Sequence, residues 1–136
     1  MRKLGGLVVI AFCLSIVAVP AVATSTTTYV TYNCKAVKKE PAKIVFACAD
    51  YGYYVDHLTW SSWSTTKAVG RGVFHMNDCK PNCASGHFHS RKGTLVLQKT
   101  MTCPKIHKTV FKHAEATYDK AWNGKKKQSS PLFCPI

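Results

Sequence analysis

Cys79, Cys83, His87 and His89 stand in a C-x3-C-x3-H-x-H spacing, and these are the side chains that zinc prefers. Metal binding is therefore the first chemistry to weigh. The spacing is not a standard zinc arrangement, and His87 and His89 would share one face of a strand simply because strand side chains alternate. The competing chemistry is oxidation. Cys34, Cys48, Cys79, Cys83, Cys103 and Cys134 form an even set, with Cys13 left over near the N-terminus. Which chemistry holds depends on the compartment, because thiols oxidise and stay oxidised outside the cytoplasm.

Hydrolysis is less well served. His57, His75, His87, His89, His107 and His113 accompany Asp50, Asp56 and Asp78, but a hydrolase needs a nucleophile, a base and an orienting group within hydrogen-bond reach. Asp56 and His57 are sequence neighbours, which a strand points to opposite faces. Ser85-Gly86-His87 is not a nucleophile elbow. The six acids are scattered and read better as turn caps or solvated groups. No catalytic residue, metal ligand or cofactor is assigned, and a small hydrolase stays only as an alternative.

The compartment is read from the first residues. Met1-Arg2-Lys3 is a short positive region, Leu4 to Val19 carries no charge, and Pro20 precedes the small-x-small end Ala21-Val22-Ala23. That order is the secretory signature, with cleavage expected after Ala23. An uncleaved anchor is the rival, since about 20 apolar residues can span a bilayer; the small-x-small end and the Thr/Ser run after it favour cleavage. Residues 1–23 are thus expected to be a signal peptide and residues 24–136 a single secreted domain, with no transmembrane anchor after processing. Cys13 leaves with the leader. The other six are expected to form disulfides; fifteen pairings are open, and the neighbours Cys34–Cys48, Cys79–Cys83 and Cys103–Cys134 are the expected ones.

Charge suggests the partner. The chain has 19 Lys and Arg against 6 Asp and Glu, a formal net charge of +13, and the leader removes only two of the cations. Such a field raises encounter rates with anionic partners. Outside a cell these are a wall or surface polymer, so Trp63, Arg71, Lys125, Lys126 and Lys127 are singled out as candidate ligand-binding residues. No nucleic-acid motif accompanies the charge. Contact with another envelope protein and a cationic antimicrobial role compete with polymer binding.

The elements that would position these groups read as short strands between turns. Tyr29 to Asn33, Ile44 to Ala49, Tyr53 to Trp60, Val69 to His75, Gly86 to Ser90 and Thr94 to Gln98 each fit a strand, with Gly93 separating the last two. Residues 124–130, rich in lysine, read as a basic loop. Ile106, Val110, Phe111, Ala114, Tyr118 and Trp122 recur at helical spacing, although the Thr, Val, Phe and Tyr among residues 109–118 also favour strand. The chain is accordingly expected to be mainly β, a small disulfide-stapled antiparallel sandwich or barrel, with a C-terminal helix left open.

Ala47-Cys48-Ala49-Asp50, Leu58-Thr59-Trp60-Ser61-Ser62-Trp63, Ala68-Val69-Gly70-Arg71-Gly72 and Asn77-Asp78-Cys79-Lys80-Pro81-Asn82-Cys83-Ala84-Ser85-Gly86 together resemble a family of small secreted actinobacterial proteins of unknown function. The linked elements span residues 34–98. The resemblance implies export and a β-rich domain in which the chain after Leu97 returns as a further strand, which favours β for residues 109–118. It implies no activity, ligand or catalytic residue.

Overall fold

The computed structural model describes residues 26–136; the expected signal peptide lies outside the described residues. Eight strands follow in order: β1 (Val30–Thr31), β2 (Val37–Lys38), β3 (Ile44–Val45), β4 (Tyr53–Trp63), β5 (Lys67–Asn77), β6 (Phe88–Cys103), β7 (Lys108–Trp122) and β8 (Lys125–Pro131). β3 to β8 form one antiparallel meander in sequence order, while β1 and β2 make a separate two-stranded ribbon. The sheet curls towards a barrel or sandwich, and the β1 segment lies along its open side. Tyr29 bridges to Val110 of β7, and the Val45 amide of β3 donates to the Tyr32 carbonyl at 2.9 Å.

Period-two alternation builds the core. On β5, Ala68, Phe74 and Met76 point in; on β6, Leu95 and Leu97; on β7, Ala114, Ala116 and Tyr118. Small alanines on β7 leave room for rings, and Phe74 meets Tyr118 edge-on with centroids 5.3 Å apart. Trp63 of β4 reaches Phe111 of β7 at 5.5 Å, which is the aromatic closure expected when a sheet curls so that distant strands face each other. The Tyr118 hydroxyl sits between the Tyr53 hydroxyl at 3.0 Å and Gln128 Oε1 at 2.9 Å. Burial, with the Tyr118 hydrogen bond, pushes the Tyr53 hydroxyl far above its ordinary pKa, so it stays a neutral part of the core.

One open alternative is decided for strand and two expectations are corrected. Residues 106–122 hold no helix: β7 pairs along β6 from Gly93↔Tyr118 to Cys103↔Lys108. A spacing of four satisfies both a helix face and every second pair of a strand, so positions 110, 114, 118 and 122 could not separate the two; buried Ala116 belongs to the strand reading. Residues 124–130 are not a loop, because β8 pairs with β7 from His113↔Pro131 to Trp122↔Lys125. Its lysines and Pro131 suit a sheet edge, where charge and proline discourage pairing with other chains. Gly93 does not divide two strands either. A Cβ there would lie 2.5 Å from the Thr117 carbonyl oxygen and 3.2 Å from the Phe74 ring, so glycine lets β6 run on where β7 crosses close.

The cysteines join as neighbours along the chain: Cys34–Cys48, Cys79–Cys83 and Cys103–Cys134. The first ties the loop after β1 to the loop after β3. The second closes the turn between β5 and β6. The third fastens the end of β6 to the C-terminal tail. Among the described residues no helix is long and apolar enough to cross a membrane.

Candidate functional site

The outward faces of β4, β5 and β6 carry the most organised polar cluster. His75 and Ser90 are direct cross-strand partners, as are Tyr54 and His75, so their side chains stand side by side on the solvent face. Ser90 Oγ lies 3.0 Å from His75 Nδ1, and His75 Nε2 lies 3.0 Å from Asp56 Oδ1. His57 Nδ1 reaches the same carboxylate oxygen at 2.8 Å. Tyr54 stacks on the His75 ring with centroids 4.6 Å apart, and Lys43 Nζ sits 4.3 Å from the centroid of the Tyr54 ring. His75 is thereby held in plane by a ring and at both nitrogens by hydrogen bonds.

The His57 contact departs from the expectation that neighbouring residues diverge. The β4–β5 register shifts between Asp56 and Thr59, and His57 takes a φ of 50°. This bulge turns the imidazole back towards Asp56, as bulges re-aim side chains. Partial desolvation would raise the Asp56 pKa, but the hydrogen bonds from His57 and His75 outweigh it and hold the carboxyl below its usual value.

A second cluster stands beside the Cys79–Cys83 turn. The Asp78 carboxylate accepts from the His87 amide at 2.9 Å, the Lys80 amide at 3.1 Å and His89 Nε2 at 3.0 Å. The His87 amide, with these other donors, keeps Asp78 well below the ordinary carboxylate range. His89 in turn lies against Trp122, with centroids 4.8 Å apart, and Arg91 lies 5.4 Å over the same indole. The C-x3-C-x3-H-x-H residues therefore do not converge as a zinc set: the cysteines are bonded to each other, and His89 is committed to Asp78. Asp50 approaches the two sulfurs, but a disulfide offers no thiolate to a metal.

The residues singled out for binding fall into three situations. Trp63 is half-buried, edge-on to Trp60 at 4.6 Å, and its Nε1 donates to the Thr28 carbonyl at 2.9 Å, so it serves the core. Arg71 is exposed but tied, donating to Asp119 Oδ2 at 2.7 Å and to Thr94 Oγ1 at 3.0 Å. Lys125, Lys126 and Lys127 are exposed on the edge strand β8. Lys125 and Lys127 line a cleft of about 480 Å³ with Trp122, Asn123, Gln128 and Ser129.

Trp122, not Trp63, is thus the aromatic that the fold brings to the lysines. The signal for it was present. Asn123 and Gly124 both have positive φ, 47° and 75°, and they link the paired residues Trp122 and Lys125. That is the two-residue hairpin that an Asn-Gly pair specifies, and reading it would have placed Trp122 beside Lys125.

A second cleft of about 370 Å³ is lined by Ser90, Arg91, Lys92, Asp119 and Lys120. Its one acid is the partner of Arg71, so its remaining charge is cationic. No family model matches the chain, and neither the curated proteins nor the solved structures offer a match.

Proposed function

We propose that this is a secreted basic protein that binds an anionic polymer of a cell envelope or surface by electrostatics. One observation carries the reading. Among the described lysines and arginines, only Lys39, Arg71 and Lys127 pair with a carboxylate, while the acids are already engaged within the chain. Glu40, Asp119 and Glu115 hold those three cations, Asp56 and Asp78 hold histidines, and Asp50 accepts from the Gly52 amide. The remaining cations have no counter-charge of their own and present a positive field to solvent. Of these, Arg91, Lys92, Lys120 and Lys125 gather around the two clefts near the β7–β8 hairpin, and the edge of Trp122 lines the larger cleft beside Lys125. Export belongs to this reading, supported by the leader-like residues 1–23 and by disulfides, which persist in oxidising compartments; the resemblance to small exported actinobacterial proteins agrees with it.

The test is retention of the exported protein on envelopes of its own producer. At low salt it is expected to bind, and a step to moderate salt is expected to release it, because ion pairs with a polyanion give way to salt. Retention that survives the step would refute the electrostatic reading. It would point to apolar contacts, for which Tyr51, Phe88, Phe133 and Ile136 are exposed among the described residues.

A further inference from the structure

We infer that Ser90 is a nucleophile activated by His75 and Asp56, acting on esters that carry a negative charge. Three side chains from three adjacent strands form the chain Ser90 Oγ–His75–Asp56, with both links at 3.0 Å. The protonation pattern follows from which atoms can donate. An ionised carboxylate only accepts, so the imidazole nitrogens that meet Asp56 Oδ1 must carry the protons. His75 therefore bears its hydrogen on Nε2 when neutral, which leaves the Nδ1 lone pair facing Ser90. The Ser90 hydroxyl is then the donor of that hydrogen bond, and the base it needs is already in place. His57, donating to the same oxygen at 2.8 Å, helps keep Asp56 ionised. Tyr54, stacked on the ring, fixes the orientation of His75.

The roles match a nucleophile, its base and an orienting acid, with the two imidazole nitrogens exchanged relative to the usual triad. Ser90 Oγ attacks the ester carbonyl carbon, and its proton passes to His75 Nδ1. That proton then leaves with the departing alkoxide as an alcohol, giving an acyl-Ser90. Water, deprotonated by the same nitrogen, attacks the acyl carbon, releases the acid and restores the serine. Ser90 shares its cleft with Lys92 and Lys120, whose positive field favours the charge developing on the carbonyl oxygen. Asp119, the one acid there, is neutralised by Arg71 at 2.7 Å. This charge selects esters with a carboxylate or phosphate nearby.

The inference stands apart from polymer binding, because the serine is tested without a polymer. The folded, disulfide-bonded protein is treated with a fluorophosphonate probe and the adduct is mapped by peptide mass. Modification of Ser90 is expected, with His75→Gln slowing it about 100-fold, as removal of a general base does. Melting curves and intact disulfides establish that the variant is folded; if it is not, Asp56→Asn is the replacement and is also expected to slow labelling. Absence of a Ser90 adduct in the folded wild-type protein would overturn the proposal, as would labelling of either folded variant at the wild-type rate. For the substrate class, a carboxylate-bearing aryl ester is expected to turn over about tenfold faster at low salt than a neutral ester with the same leaving group. Equal rates would overturn the preference for anionic esters.

Discussion

Replacing Gly93 with alanine tests the crossing of the two longest strands. The new Cβ would sit 2.5 Å from the Thr117 carbonyl oxygen and 3.2 Å from Phe74 Cε2. Carbon–oxygen contacts between strands normally lie at about 3.3–3.6 Å, so the strands must separate by roughly 0.8–1.1 Å at this point. Neither side yields easily. The Thr117 backbone is paired with β6 through Thr94 and with β8 through Lys127, and Phe74 is fully buried. Overpacking of this kind costs about 1–3 kcal/mol, offset in part by about 0.4–1 kcal/mol from the stiffer unfolded chain. A net loss of about 1–2 kcal/mol is expected, which lowers the melting temperature by some 4–8 °C per kcal/mol in a small domain. Urea and thermal unfolding followed by tryptophan fluorescence, with the disulfides intact, give the number. Gly124→Ala is the control: nothing lies within 4 Å of its Cβ, but a φ of 75° carries a left-handed backbone cost of about 1–2 kcal/mol without crowding. A Gly93→Ala protein as stable as wild type would refute the close crossing and the continuous β6.

Other outcomes follow from the same structure. Removing the Cys103–Cys134 bridge, which spans 31 residues, is expected to cost about 3–4 kcal/mol. Removing Cys79–Cys83, which spans 4, is expected to cost only about 2 kcal/mol, since loop entropy grows with span; denaturation of the paired Cys→Ala variants ranks them. Asp56 and Asp78 have folded-state pKa values below their unfolded ones, so their contribution is present above about pH 4 and is lost as pH falls through the lowered values. Asp56→Asn should therefore flatten the acid limb of the stability curve, and an unchanged acid limb would contradict the His57 and His75 bonds. Trp122 also packs on the core, His89 and Arg91, so Trp122→Ala is expected to cost some stability and to weaken polymer binding at least fivefold, whereas Trp63→Ala should lower the melting temperature without weakening binding, because its indole packs on Phe111 and donates to Thr28. Binding isotherms paired with melts separate the two.

The sequence carried the strand character of β4 and β5, and the cysteine pairs follow chain order. Local pattern was enough there because alternation and turn residues act over a few positions. It failed where a residue's meaning lay in another strand. Gly93 looked like a break until Thr117 was placed opposite it, and Lys125 to Lys127 looked like a loop until β7 supplied a partner. The Asp56–His75–Ser90 chain was illegible for the same reason: it depends on the registers Tyr54↔His75 and His75↔Ser90 and on a bulge at His57. Trp63 drew attention as an aromatic among polar residues, but curling of the sheet turned it onto Phe111.

The central claim is that cations without internal partners bind a polyanion near the β7–β8 hairpin. Its most direct test is the dissociation constant of the folded, disulfide-bonded protein for a soluble polyuronate across a salt series. A linear fall of log affinity with log salt is predicted, with a shallower slope in the Lys120→Gln, Lys125→Gln double variant, each lost contact removing a little under one unit at most. An affinity independent of salt, or a slope unchanged by the double variant, would contradict the account.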